Sequence, residues 1–170
     1  SINVVVHGVL GKMGQEVLDA VCDADDLTPV GGADFASSDY DSITTKNSLK
    51  IPVSNDLGKV ISNADVVVDF TNADGARNVM SVAAANKVHC VIGSTGLSEK
   101  DFETAQSLAE ENGTSIIIAP NFAMGAVLMM HLVRQASKFF EYADLTEVHH
   151  EAKIDAPSGT ALAIAQAAFE

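Results

Sequence analysis

The apolar positions of this chain fall into short runs separated by amphipathic segments, and this alternation predicts strands and helices in turn. Residues 2–6 form a β-branched run, and a glycine-rich turn leads from it to the helical spacing of Val17, Leu18 and Val21. The same order recurs as far as residue 119. We therefore predict βαβ units that build a doubly wound parallel sheet with helices on both faces, which is an α/β fold.

The further predicted strands are buried or β-branched runs, which lie at residues 27–33, 66–70, 88–92 and 114–119. Three further helices are predicted from amphipathic segments. The first is short and ends at residue 61, and the other two cover residues 75–86 and 99–112. Residues 36–50 are rich in Ser, Thr and Asp, and this composition predicts a loop or a short helix.

The pattern changes near residues 120–125. An apolar helix is predicted from there to about residue 140, and a new strand is predicted to begin at residues 144–149. Because a strand needs partners, we expect a second, α+β domain that is cut short. The predicted domains cover residues 1–122 and 123–170.

The composition of the chain argues against a membrane helix, a nucleic-acid partner and a cysteine metal site. No apolar run among the 170 residues reaches the length of about 18 that a membrane helix needs, and the N-terminus lacks the zones of a signal peptide. The formal net charge of −13 argues against a nucleic-acid partner. Cys22 and Cys90 lack metal-ligand spacing, which favours free thiols in a reducing cytoplasm.

Gly8, Gly11 and Gly14 stand between the first predicted strand and the first predicted helix. Glycine lets the backbone approach a pyrophosphate, and a helix N-terminus attracts negative charge. Asp34 lies 20 residues after Gly14, where a carboxylate can accept hydrogen bonds from ribose hydroxyls. A tightly packed turn and an ordinary loop aspartate are the alternatives. In this context the residues predict a Rossmann-like dinucleotide site, and Phe35, where NADP sites carry an arginine, favours NAD.

Polar segments also follow three later strands, at residues 69–71, 93–96 and 119–122. The carboxyl ends of parallel strands meet at one edge of a sheet, so we expect these segments to lie along the cofactor. The amide of Asn121 and the ring of Phe122 could flank a nicotinamide. Each segment alone is also typical of ordinary turns.

Residues 147–160 combine His149, His150 and Lys153 with a turn at residues 158–160 that opens a helix. Histidine exchanges protons near neutral pH, lysine can hold or protonate an anion, and the helix N-terminus offers N–H groups to a carboxylate. Adjacent histidines on a strand point to opposite faces, so we expect no metal site. The remaining histidines are expected to be structural, and they are His7, His89 and His131.

These motifs, in this order, resemble the 4-hydroxy-tetrahydrodipicolinate reductase family, also called dihydrodipicolinate reductase, of lysine and diaminopimelate biosynthesis. The resemblance spans the chain and is most specific at residues 147–161. It implies reduction of a cyclic imine dicarboxylate to tetrahydrodipicolinate with hydride from NADH or NADPH. It also implies a homotetramer, and a mixed-sheet substrate domain that continues beyond the length of this chain.

The resemblance assigns His149 as the general acid and Lys153 as its partner in protonation and substrate binding. Its substrate-binding positions are His150, Ser158, Gly159 and Thr160. Its cofactor-binding positions are Gly8, Val9, Leu10, Gly11, Lys12, Met13, Asp34, Gly93, Ser94, Thr95, Ala119, Pro120, Asn121 and Phe122. The alternative hypothesis is a catalytically incomplete NAD(P)-binding fragment or sensor module. Lys46 and Lys50 leave the choice between NADH and NADPH open.

Overall fold

A computed structural model of the chain describes residues 1–38, 41–119, 121–149 and 156–169. The chain divides into two compact units, Ser1–Ala119 and Pro120–Glu170. None of the helices in the described ranges combines the length and apolarity that a membrane crossing requires.

The first unit is built around a seven-stranded sheet in the order β3-β4-β2-β1-β5-β6-β7. The strands are β1 Ile2–His7, β2 Leu27–Ala33, β3 Asp41–Thr44, β4 Lys50–Ser54, β5 Val66–Asp69, β6 His89–Ile92 and β7 Ile116–Ile118. The helices are α1 Lys12–Asp23, α2 Ala73–Ala85 and α3 Glu99–Asn112, and a short 3-10 helix covers Leu57–Lys59. All strand pairs are parallel except β3 with β4. The predicted doubly wound α/β fold is confirmed.

The direction of winding reverses at β1. The chain adds β2 and β4 on one side of β1 and then continues with β5, β6 and β7 on the other. In such sheets a crevice opens beyond the carboxyl ends of the strands at the point of reversal, and ligands bind there. His7 and Asp69, the last residues of β1 and β5, are register partners at this point.

Alternation along β1 produces a hydrophobic core on each face of the sheet. Val5 packs in the core that includes Val79 of α2, while Val4 and Val6 pack in the core that includes Leu18 of α1. Successive side chains of a strand point to opposite faces, so an apolar run is required where both faces are covered.

The helix ends follow local sequence signals. The side chain of Asn72 accepts a hydrogen bond from Gly75 N at the start of α2, and the Asp101 side chain accepts one from Ser98 N at the start of α3. Gly113 ends α3 with a φ of 66°, in the left-handed conformation that glycine adopts at least cost. The predicted bounds of α3 and of β2 are both confirmed.

The prediction of a loop or a short helix at residues 36–50 was wrong for residues 41–44 and residue 50, which lie in strands. Part of this segment forms β3, which pairs antiparallel with β4 at the edge of the sheet. A hydrogen bond from Thr45 N to Leu49 O closes the connection between the two strands. An edge strand is partly solvated and can be polar, so the pairing with β4 decides its conformation.

The second unit contains α4 Met124–Ala136, a 3-10 turn Ser137–Phe139 and α5 Gly159–Ala167. The 3-10 turn follows α4 without a break, so helical structure reaches Phe139, close to the predicted end at about residue 140. Helix α4 buries none of its residues. The strand predicted at residues 144–149 is not formed in the described part of this segment. No strand pairs with it among the described residues, and an extended segment becomes a β-strand only through a partner.

Candidate functional site

The turn between β1 and α1 is fixed to the end of β2. Gly8 N donates to Ala33 O at 2.7 Å, and Gly11 N donates to Gly8 O at 3.0 Å. Gly8 has a φ of +83°, and a Cβ there would lie 2.8 Å from Thr71 Cγ2. A Cβ on Gly14 would lie 1.9 Å from Gly8 O. The packing of the turn therefore requires glycine at positions 8 and 14.

Helix α1 begins at this turn with Gly11 as its N-cap, and no side chain caps it. The first N–H groups of a helix have no partner within the helix. Leu10 and Met13 are about half exposed beside them. The start of α1 is thus suited to a phosphate group, whose charge the helix dipole would favour.

Asp34 is buried directly behind the turn. Its Oδ2 accepts from Leu10 N at 3.0 Å, and its Oδ1 accepts from Ala36 N at 3.0 Å. The carboxylate therefore couples the end of β2 to the glycine turn. Next to this contact in the chain are Val9, which precedes Leu10, and Phe35, which follows Asp34. Val9 is fully buried and Phe35 is 90% exposed, so only the Phe35 side chain is open to a ligand.

A buried carboxylate organises the edge of the sheet at the crevice. Asp69 is 0% exposed. Its Oδ1 lies 2.7 Å from His7 Nδ1 and accepts from Thr71 Oγ1 at 2.7 Å, while its Oδ2 accepts from Ser94 Oγ at 2.6 Å. Thr71 N donates in turn to Ser94 Oγ at 2.8 Å. Each hydroxyl thus has a defined direction, as buried polar groups require.

The segment after β6 lies beside this carboxylate. Gly93 N donates to Asp69 O at 2.8 Å, and a Cβ on Gly93 would lie 2.2 Å from Phe70 Cε1. Ser94 is buried, whereas Thr95 is exposed. At the end of β7, Ala119 N donates to Ile92 O at 3.0 Å. The carboxyl edge of the first unit therefore brings together the predicted cofactor residues that belong to it.

In the second unit, a carboxylate holds the start of α5. Ser158 N donates to Glu147 Oε1 at 2.8 Å, and Ser158 Oγ donates to Glu147 Oε2 at 2.6 Å. Ser158 Oγ also accepts from Ala161 N at 3.0 Å as the N-cap of the helix. His149 Nδ1 lies 3.6 Å from the same Glu147 Oε2. The predicted acid and the predicted substrate turn therefore share one carboxylate.

Asn121 is also tied to this turn. Its Nδ2 donates to Thr160 Oγ1 at 2.8 Å, and its Oδ1 accepts from Ala123 N at 2.8 Å. Phe122 is half exposed next to it. The amide predicted to flank a nicotinamide thus fixes the side chain of Thr160.

Three residues predicted for the site lie outside the described residues, and they are Pro120, His150 and Lys153. Within the described ranges, no group of three His, Cys, Asp or Glu side chains is arranged to hold a metal ion.

Two residues of the site were not assigned to it from the sequence. His7, which was expected to be structural, binds the buried Asp69 carboxylate at the edge of the crevice, and Glu147 was given no role. Glu147 and His149 are two positions apart, a spacing that places side chains on one face of an extended segment. That spacing is a signal the sequence contains. The pairing of His7 with Asp69 joins residues 62 positions apart and has no local signal.

Comparison with known proteins identifies the family. The family profile described as dihydrodipicolinate reductase, N-terminus, matches residues 2–122, and the profile described as dihydrodipicolinate reductase, C-terminus, matches residues 125–170. The chain is 47% identical over 168 residues to a 4-hydroxy-tetrahydrodipicolinate reductase of Dehalococcoides mccartyi, in a match that covers 98% of this chain and 64% of that protein. Identity to the enzyme of the same name from Synechococcus elongatus is 39% over 175 residues, covering 97% of this chain and 64% of the relative.

A solved structure with the same architecture is the dipicolinate-bound dihydrodipicolinate reductase from Paenisporosarcina sp. TG-14. Its TM-score is 0.78 at 34% identity, and the match covers 98% of this chain and 65% of that one. Homoserine dehydrogenase from S. aureus shares the fold alone, with a TM-score of 0.55 at 17% identity over 69% of this chain and 32% of that one. The chain spans 64% of the length of the two reductases compared by sequence. Both family profiles match along nearly all of its length, and the chain belongs to the dihydrodipicolinate reductase family.

Proposed function

We propose that the protein carrying this chain reduces 4-hydroxy-tetrahydrodipicolinate, or the dihydrodipicolinate derived from it, to tetrahydrodipicolinate with a nicotinamide cofactor. The observation that carries the proposal is the shared carboxylate in the second unit, which links His149, a proton donor, to the anion-accepting start of α5. Residues 1–122 would form the dinucleotide-binding domain and residues 123–170 the beginning of the substrate domain.

The residues of the first unit fit a dinucleotide. The uncapped start of α1 would hold the pyrophosphate, and Asp34 at the end of β2 would accept from the adenosine ribose. When bound, the reduced nicotinamide supplies the hydride. Thr95, exposed beside the Asp69 carboxylate network, would contact the cofactor at the carboxyl edge.

We infer NADH as the preferred cofactor. A carboxylate at Asp34 would repel the additional phosphate of NADPH, and Phe35 offers that phosphate no cation. Lys46 is paired with Asp23, which raises the pKa of the lysine and keeps its charge at that carboxylate. Dissociation constants of NADH and NADPH, compared at one ionic strength, test the inference. Equal or tighter binding of NADPH would contradict it.

The second unit supplies groups for a dianionic substrate. The first N–H groups of α5, at Gly159 and Thr160, can donate hydrogen bonds to a substrate carboxylate. Hydride addition to a conjugated imine leaves an anionic position that an acid must protonate. His149, whose side chain is 37% exposed, would donate that proton. Lys153, by its position in the family motif, would assist protonation and substrate binding.

The relatives support the reductase over a sensor module. Both sequence relatives carry the reductase name, and the solved relative was determined with dipicolinate bound. A sensor would need the cofactor site alone, whereas this chain also retains the motif that contains the proposed acid.

Substitution of the proposed acid and its partner tests the function. His149→Ala and Lys153→Ala should each lower turnover by about 10²- to 10⁴-fold, the contribution of a general acid, and leave NADH affinity nearly unchanged. Matched controls are His131→Ala and Lys138→Ala, of which His131 is exposed on α4. If the variants lost NADH affinity and kept their turnover at saturating NADH, His149 and Lys153 would belong to the cofactor site and the proposed roles would be contradicted.

We also propose a homotetramer in the cytoplasm, as the family resemblance implies. Several apolar side chains of α4 are at least half exposed, namely Met124, Leu128, Met129 and Leu132, and such surface is typical of an interface. Sedimentation of the intact protein tests the assembly. A monomer at micromolar concentration would contradict it.

A further inference from the structure

We propose that Glu147 is a positioning residue for the reaction, because its carboxylate both orients the His149 imidazole and fixes the start of α5. The inference rests on the proposed reductase function. It assigns to Glu147 a part that is neither substrate contact nor metal binding.

The contacts of Ser158 show what Glu147 does to the substrate turn. Both donors of Ser158, its N–H and its Oγ–H, are directed at the two oxygens of the Glu147 carboxylate, at 2.8 and 2.6 Å. Neither donor is left for a substrate carboxylate. The next N–H groups, at Gly159 and Thr160, carry that task, and Ser158 serves to hold the turn in place.

The same carboxylate faces the proposed acid. Glu147 Oε2 lies 3.6 Å from His149 Nδ1, which is beyond a direct hydrogen bond and within the range of an ion pair. Catalytic hydrogen bonds are often long without substrate and shorten when it binds. A carboxylate on this side favours the proton on Nδ1. The other ring nitrogen, Nε2, then takes up a second proton from solvent, and the resulting imidazolium donates that proton to substrate and returns to the neutral Nδ1–H ring.

The arrangement also balances charge. Glu147 is 25% exposed and would by itself repel a dianionic substrate. Protonation of His149 for the transfer would offset that charge, and the carboxylate would afterwards stabilise the neutral ring with its remaining proton on Nδ1. A carboxylate that orients a catalytic imidazole in this way determines which tautomer is present.

Glu147→Gln tests the carboxylate with little change in shape. The new amide side chain retains an oxygen for Ser158 N–H, but its NH₂ group would present a donor to His149. In ¹⁵N-histidine spectra of the protein expressed from its complete reading frame, recorded at a pH at which the imidazole ring is neutral, His149 should change from the Nδ1–H to the Nε2–H tautomer. The signal is assigned by its absence in His149→Ala. Glu141→Gln, an exposed carboxylate of the same unit, is the matched control and should leave the tautomer unchanged.

Kinetics supply the second measurement. Glu147→Gln should lower kcat by about 10- to 100-fold, less than complete loss of a general acid. The dissociation constant of dipicolinate should change by less than about threefold, since the N–H groups of the α5 start are retained. Glu147→Asp keeps the charge on a shorter side chain, so its kcat should be higher than that of Glu147→Gln and its His149 should keep the Nδ1–H tautomer. This variant provides a second test if Glu147→Gln folds poorly.

Two results would overturn the inference. One is a Glu147→Gln protein that equals Glu141→Gln in both kcat and tautomer. The other is equal loss of kcat and of dipicolinate affinity with an unchanged tautomer, which would make Glu147 a structural support of α5 alone. The tautomer is measured without turnover. An inactive wild-type protein would therefore contradict the proposed function separately from this inference.

Discussion

His7 Nδ1 lies 2.7 Å from Asp69 Oδ1, and this contact joins the last residues of two adjacent parallel strands at the point where the winding of the sheet reverses. The same carboxylate accepts from the hydroxyls of Thr71 and Ser94. The crevice where a dinucleotide would lie is therefore built around one buried charge, whose donors come from three neighbouring segments.

Asp69→Ala should lower the free energy of unfolding by about 3 kcal/mol, because the buried donors that face the carboxylate lose their acceptor. Urea unfolding measures the change. Asp25→Ala, at an exposed aspartate, is the control and should stay within about 0.5 kcal/mol of wild type. If Asp69→Ala lowered the free energy of unfolding by less than about 1 kcal/mol, the buried donors would have found other acceptors, and the proposed importance of the carboxylate would be contradicted.

Gly14→Ala should be poorly tolerated, because the new Cβ would lie 1.9 Å from the backbone oxygen of Gly8. Overpacking that forces the backbone to shift typically costs about 1–3 kcal/mol, and occasionally more. NADH affinity should fall as well, since the glycine turn would be displaced. Calorimetric titration and urea unfolding measure the two effects.

Gly125→Ala is the matched control for Gly14→Ala. It lies in α4, and a Cβ there meets nothing within 4 Å. Alanine should be neutral or should stabilise the helix by up to about 1 kcal/mol. Similar behaviour of the two variants would show that the close contact at Gly14 does not restrict the turn.

Asp101 should contribute to acid sensitivity. Hydrogen bonds from Arg77 and from Ser98 hold the pKa of its carboxyl well below the ordinary value. The folded pKa lies below the unfolded value of about 3.9, so the stabilisation is present above that pH and is lost as the pH falls below it. The decrease in urea midpoint from pH 6 to pH 3 should be smaller in Asp101→Asn than in wild type. Glu103→Gln, exposed on the same helix, should decrease as wild type does.

The two cysteines should differ in reactivity. Burial, together with the nearby negative charge of Asp69, raises the pKa of the Cys90 thiol to about 12. Thiolate is the reactive form, so iodoacetamide at pH 8 should leave Cys90 unmodified in the folded protein and modify it in urea. Peptide mass spectrometry separates it from Cys22, which is partly exposed. Rapid alkylation of native Cys90 would contradict the burial of this strand.

Much of the first unit could be predicted because its signals are local. Helix α3 is marked at one end by Ser98 and Asp101 and at the other by Gly113, so both of its bounds follow from the sequence. Strands β1 and β5 are covered on both faces of the sheet and are therefore apolar runs, which can be recognised without knowing which strands pair with them.

What could not be predicted depends on partners distant in sequence. The polar strand β3 is defined by its pairing with β4, and residues 144–149 have a strand-like pattern without a paired strand in the described residues. The contact between His7 and Asp69 depends on the parallel register of β1 with β5. Register of this kind is set by packing of the whole sheet, which no local pattern reveals.

The most direct test of the proposed function is the rate of NADH oxidation by the protein expressed from its complete reading frame, while a dihydrodipicolinate synthase forms the substrate from pyruvate and aspartate semialdehyde. Oxidation should depend on both precursors and should be lost in His149→Ala. The Dehalococcoides mccartyi reductase, run in parallel, verifies that substrate is supplied. Oxidation by that enzyme, together with NADH binding but no oxidation by this protein, would contradict the proposed function.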